Sequence, residues 1–426
     1  MNKALVVTIL GIFLFLSCKN ETKIETDMTV NPLLTEWDTP FGVPPFDKIN
    51  SEDYLPASRE AMRIHNEEID VIVNNKEEAT FENTLEALDN SGILLSRISN
   101  AFFAVSSANT DDVLKETRTI ISPELTAHFD EIELNTDLFE RINTVYEQRE
   151  GLNLTAEELF LLEETYKRYV RSGVNLEGDN KERLKAINKR LSELSTKFGE
   201  NLLDETNDFG LHVTDEKDLG SISESLKASA AEEAKKREYD SGWVFTLQRP
   251  SINPYLQSSP NRENREKLFQ GYALRGDNDN EKDNKEIILE MSSLRLEKAN
   301  LLGYKSHADY VLSDNMSQTP QAVYDLMDKL WSSALNMAIK DREALANMMK
   351  SEGIKGDFRG SDWRYYVEKI RAERYNFNED ETRPYFEFNA VREGVFMLAD
   401  KLFGLTYKEI KNAPKWHEDQ HVFEVL

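Results

Sequence analysis

Residues 416–426 read Trp416-His417-Glu418-Asp419-Gln420-His421-Val422-Phe423-Glu424-Val425-Leu426, and His417 to His421 spell HExxH. If this stretch is helical, the two histidines sit one turn apart on one face and hold zinc, with Glu418 as general base on the metal-bound water. If it is not, the chain is a scaffold whose chemistry lies elsewhere. The local residues argue against a helix. Pro414 stands three residues upstream of His417, Asp419 and Gln420 offer no apolar face, and Val422 to Val425 alternates as a strand does. A catalytic zinc also needs a third protein ligand with its own supporting partners, and nothing upstream marks one. The stretch therefore reads as a loop entering a strand, with His417, Glu418 and His421 a chance match and no metal expected on this chain.

Upstream, the pattern is helix after helix. Ser51 and Asp53 are cap residues and Pro56 suits a first turn, so a helix opens there and runs to about Asn74. Breaks follow near Glu78 to Thr80, Asn109, Asn135 and Gly151. The longest regular piece is Asp179 to Thr206, where Leu184, Ile187, Leu191, Leu194, Phe198 and Leu202 form one apolar seam by threes and fours. That seam spans fewer than three heptads and reads as a helix packed in a bundle, not a dimerising coiled coil. Phe209 to Val213 and Gly242 to Leu247 read as short strands around a polar helix at Ser221 to Lys236. Lys285 to Leu302, Pro320 to Lys350 and Asn389 to Phe403 read as further helices, with Gly303 and Gly404 as C-terminal caps. The fold class is mainly α with a minor β element. Before the first helix, Asn31 to Ile49 mixes prolines with Leu33, Leu34, Trp37, Phe41 and Phe46, which suits an extended arm pinned by its apolar side chains.

The 426 residues carry a net charge of −26, which disfavours a phosphate backbone as partner, so nucleic acid is not expected. Cys18 is the only cysteine, which leaves no disulfide framework and no cysteine metal site. It closes a short basic start and an apolar run from Ala4 to Leu16, a secretory signal too short for a comfortable membrane span. Phe15-Leu16-Ser17-Cys18 resembles a bacterial lipobox, with Phe15 where leucine is usual, and implies lipidation of Cys18. An ordinary signal peptide cut elsewhere, or an uncleaved anchor, is the alternative. Residues 19–30 are polar and read as a tether. Lys19 after the cysteine fits an outer-membrane anchor by resemblance, facing the periplasm or the outside.

Other candidates are weaker. Asp277 to Glu281 faintly resembles a calcium loop, but Lys282 stands where glycine and Ile288 where glutamate is needed, so a loop capping the next helix is expected. His65, His128, His212 and His307 are far apart in sequence, and none has another ligand at metal spacing. There is no fixed repeat, phosphate loop or GxSxG elbow.

Several stretches together resemble the thimet-oligopeptidase-like zinc metallopeptidases, in the bacterial peptidyl-dipeptidase and oligopeptidase A branch. They are Asn31 to Leu34 with Pro44 to Phe46 and Asp53 to Pro56, Phe81 to Leu88, Arg295 to Tyr304, Asp362 to Tyr366, Tyr385-Phe386 and Val391 to Phe396. Their order is right and they reach from Asn31 to the end. The resemblance implies a two-lobed helical shell around a deep channel that takes short unstructured peptides, releasing dipeptides from the C-terminus in the peptidyl-dipeptidase branch. It implies a zinc site on an HExxH helix, with a glutamate and substrate-binding Tyr and His further on, all beyond residue 426. On this reading residues 31–275 are an N-terminal helical lobe and 276–426 the start of the catalytic half, monomeric and inactive alone. Its last strand is expected to leave an exposed edge, with marginal stability. Two alternatives stand beside it: a non-catalytic lipoprotein using the helical lobe to bind peptides or partners, and an unusual zinc hydrolase built on His417, Glu418 and His421.

Overall fold

The computed structural model describes residues 31–376 and 381–426. The signal peptide, Cys18 and the tether lie outside the described residues. The arm behaves as its composition dictates. Leu33 and Trp37 are buried beside the first helices, the Arg97 guanidinium lies 4.0 Å over the Trp37 ring, and Phe41 alone of the large apolar residues points out.

Helix α1, Tyr54–Val73, follows a single 3-10 turn in which Asp53 accepts the Asn50 backbone N–H at 2.7 Å. Its buried residues Tyr54, Ala57, Ala61, His65, Ile69 and Ile72 recur every three or four positions. Phe81–Glu86 is a π turn running into α2, Ala87–Asp89. Then come α3 (Ile93–Ala108), α4 (Asp112–Glu133), α5 (Thr136–Gln148), α6 (Ala156–Ser172) and α7 (Asp179–Asp208). One core joins α1, α3 and α4 to the arm. A second gathers α1, the π turn, α5 and α6 around Leu138, Ile142, Leu162 and Tyr169.

The seam of α7 buries Leu184, Ile187 and Leu194 as read, but its last turns bury Asn201, Glu205 and Thr206 instead. Glu205 explains this. It accepts the Gly276 N–H at 2.5 Å and the amides of Asn278 and Asn280, so the acidic loop is wrapped around it. Burial alone would raise the Glu205 carboxyl, but these donors hold it below the usual range. On the loop's other side the Lys285 ammonium lies 2.7, 2.9 and 2.6 Å from Asp277, Asp279 and Asp283. A side-chain cation from the next helix thus offsets part of the charge of the cluster that faintly resembled a calcium loop.

Strands β1 (Leu211–Val213) and β2 (Trp243–Phe245) pair antiparallel, Leu211 opposite Phe245. Between them α8 spans Glu224–Lys236, starting later than the sequence suggests because Ser223 caps it. Helices α9 (Arg249–Ser258) and α10 (Arg262–Ala273) complete this unit. After the acidic loop come α11 (Lys285–Leu301), α12 (His307–Leu312), α13 (Pro320–Ser351), α14 (Trp363–Tyr375) and α15 (Phe388–Phe403), the last closed by left-handed Gly404. No helix among the described residues is long and apolar enough to cross a membrane. Both α13 and α15 leave large apolar side chains uncovered, including Trp331, Leu330, Phe388 and Leu402.

One polar junction ties α10 to the start of α14. Asp362 is fully buried and receives Arg262 at 2.7 Å and Arg265 at 3.1 Å, while the Arg265 guanidinium, 1% exposed, lies 4.1 Å over Tyr365. Burial would raise the Asp362 carboxyl, but Arg262, the Arg359 backbone N–H and Arg265 hold it below the ordinary value. The junction spans the boundary drawn at residue 275 from sequence, so any division there cuts through a buried ion cluster.

Candidate functional site

His417, Glu418 and His421 fall in a turn, not a helix. The Gln420 N–H donates to the His417 carbonyl at 3.1 Å, and the Asp419 N–H to His417 Nδ1 at 3.2 Å. His421 Nδ1 lies 2.7 Å from Glu409 Oε1, and Glu418 is exposed to solvent. Each histidine therefore has one ring nitrogen already engaged, and the pair lacks the one-face geometry of helical i, i+4 ligands. These residues do not fit the zinc set that the family resemblance implies. Among the described residues no three His, Cys, Asp or Glu side chains come together as a group that could hold a metal.

The strand after the turn is β4, Phe423–Val425, and it does not hang free. It pairs antiparallel with β3, Tyr407–Glu409, and the ladder continues through Thr406 with Leu426 and Ile410 with Val422. The expected bare strand has one edge satisfied within the chain, because Tyr407 to Glu409 supplies a partner too short to stand out in sequence. Phe396 stacks on Tyr407 at 4.0 Å, and Trp416 packs against the core of the arm, α1, α3 and α4.

The other histidines part company. His212 stacks on Tyr239 at 3.9 Å, a packed position beside β1. His65 and His128, 63 residues apart, meet in the interior with His65 Nδ1 2.9 Å from His128 Nε2. Ser91 Oγ donates to the Leu88 carbonyl at 2.7 Å, so it accepts from His65 Nε2 at 3.2 Å. His65 then carries its proton on Nε2, and His128 donates to the bare Nδ1. His65 is then neutral, and burial lowers the proton affinity of both rings. Gly92 closes over it with φ +69°, and a Cβ there would stand 2.7 Å from the His65 ring. No spacing rule could have found this pair, since only the packing of α1 on α4 creates it.

His307 lines a chemically mixed cavity of about 720 Å³ between α4, α7, α11 and α12. Asp130 sits in its wall, bonded to Asn188 Nδ2 at 2.9 Å, and Asn188 Oδ1 accepts from Lys298 Nζ at 2.6 Å. Glu133 accepts from Ser172 at 2.6 Å. Burial pushes Asp130 up to about 6 and lowers Lys298, while His307 is lowered by burial and by neighbouring Arg295 and Lys298. Perturbed charges of both signs in one hollow are the pattern of a binding site. Arg295 and Lys298 come from the RLEKANLLGY stretch.

Residues 255–426 match the family model Peptidase family M3. The chain is 34% identical over 400 residues to a dipeptidyl carboxypeptidase of Salmonella typhimurium, covering 94% of this chain and 59% of that protein. It is 34% identical over 401 residues to the dipeptidyl carboxypeptidase of Escherichia coli, covering 93% and 59%. Oligopeptidase A of Escherichia coli is 29% identical over 399 residues, covering 93% and 58%. The chain thus spans 59% of the length of the two carboxypeptidases it matches.

Proposed function

Residues 255–426 belong to peptidase family M3, and from that premise we propose that this chain forms part of a zinc metallopeptidase that releases dipeptides from the C-terminus of short unstructured peptides. The observation that carries this reading is the identity to dipeptidyl carboxypeptidases, 34% spread over 400 residues, against 29% to oligopeptidase A. The activity is that of the whole enzyme. The described residues contribute helical wall and cavity, and the uncovered faces of α13 and α15 are surfaces of the kind a further packed layer covers.

Residues 1–426 by themselves are proposed to hold no catalytic zinc, because His417 and His421 lie outside any helix, each with its Nδ1 engaged. Purified chain and a His417→Ala, His421→Ala double variant are expected to show the same near-zero zinc content and no peptide hydrolysis. One tightly held zinc, lost in the double variant together with hydrolysis, would overturn this.

The enzyme is further proposed to be exported and anchored through lipid on Cys18, on the strength of the apolar run and lipobox-like ending. In bacteria expressing the chain, Cys18→Ser is expected to move it from the membrane to the soluble fraction and abolish labelling by radioactive palmitate. Equal labelling of both forms would remove the anchor.

A further inference from the structure

The cavity beside His307 continues as a groove along α4. Arg118, Ser122, Thr126, Asp130 and Glu133 line it at intervals of four, four, four and three, one helical face over 15 residues. At 1.5 Å per residue that face is about 22 Å long, the span of about six extended residues. Alongside it α7 packs directly on α4, antiparallel to it as the Thr119–Glu200 and Asn188–Asp130 bonds require. It adds Ser192, Ser195 and Thr196, so hydroxyls line the middle from both sides.

The two ends are charged differently. Arg118 stands alone at one end. At the other, Arg295, Lys298 and His307 face Asp130 and Glu133. In a chain of net charge −26, neither Arg118 nor Arg295 has an ion-pair partner among the described residues. Asp130 Oδ2 and His307 Nδ1 are buried and without a hydrogen-bond partner, which is costly unless something polar enters.

We propose that this groove binds a short peptide in extended form, its C-terminal carboxylate on Arg295 and its backbone along the hydroxyls toward Arg118. A guanidinium takes a carboxylate through two parallel bonds, Asp130 Oδ2 can accept a peptide N–H, and the hydroxyls can serve either backbone group. The inference rests on the peptidase reading for its ligand class, and it adds the residues of the helical wall that would hold the peptide.

The test uses the full chain in buffer containing EDTA, so that hydrolysis plays no part. Fluorescently labelled (Gly-Ala)3 with a free carboxylate is titrated by anisotropy beside the same peptide as its C-terminal amide. The free acid is expected to bind at least 10-fold tighter, with the preference erased in Arg295→Gln and partly kept in Arg295→Lys. Thermal melts of both variants matching the parent would show that the fold is intact. Equal affinity for acid and amide in the parent, or an undiminished preference in Arg295→Gln, would overturn the proposal. So would inorganic phosphate displacing both peptides equally, which marks a simple anion site. None of these outcomes touches the zinc and hydrolysis experiment, so the groove and the peptidase reading fail independently.

Discussion

Asp362→Ala is expected to lose about 3–5 kcal/mol of stability, because it leaves the Arg265 guanidinium buried without its counter-charge. Arg265 is 1% exposed and cannot swing to water, whereas Arg262 has a partly open path. Asp362→Asn keeps the shape and two acceptor positions fewer, and should lose less. Urea denaturation at pH 7 reads both. The informative third variant is Arg265→Met with Asp362→Leu, which removes both charges and should recover most of the loss, since a buried pair is often no better than apolar packing of the same volume. A loss under about 1 kcal/mol in Asp362→Ala would mean that the junction is solvated and the α10 to α14 connection rests on apolar contacts.

The His65–His128 pair should make stability fall as pH drops from 7 to 5. Burial, and for His128 the neighbouring His65, hold both rings below the ordinary 6.5, His128 at about 4. The unfolded chain therefore takes up protons first as pH falls through 6.5, which favours unfolding until the folded pair itself protonates. For His128 this amounts to about 2 kcal/mol between pH 7 and pH 5. Asp130 works the other way, because its carboxyl at about 6 takes a proton in the folded state before the unfolded chain does. Glu68, on α1 beside His65, favours the protonated ring and shallows the effect. His128→Gln isolates the pair, since the amide can still donate to His65 Nδ1 but does not titrate. The stability gap between parent and His128→Gln should narrow by about 2 kcal/mol from pH 7 to pH 5. A gap constant across that range would show that the rings titrate as free imidazoles.

The helices were legible because their physics is local. The stripe in α1, the seam of α7, the breaks at Asn109 and Asn135, and Gly404 after α15 all follow from side chains within one or two turns of each other. The strand pair Leu211–Val213 with Trp243–Phe245 was legible in position but longer in the reading, because apolar alternation continues past the point where pairing stops. Family membership was legible for a different reason: six stretches in the right order carry more information than any one of them. The residues that matter most to packing were not legible in their roles. Asp362 entered the reading only as the first residue of a stretch that resembles the family, and the structure makes it the hub of a buried ion cluster.

By itself the sequence determined a mainly α chain, the approximate positions of its longest helices, the loop character of His417 to His421, and kinship with a peptidase family. Each depends on neighbours along the chain, whose spacing is fixed by helix and strand geometry. Tertiary structure decided which distant side chains meet. It brought His65 to His128 across 63 residues and Glu205 to the loop at 276–280. It also seated Lys285 among three aspartates and gave β4 its partner in Tyr407 to Glu409. The Asp130, Lys298 and His307 cavity likewise needs four helices in place before it exists. Such contacts arise from packing faces whose pairing no local pattern encodes, and the charges they desolvate acquire their altered proton affinities only there.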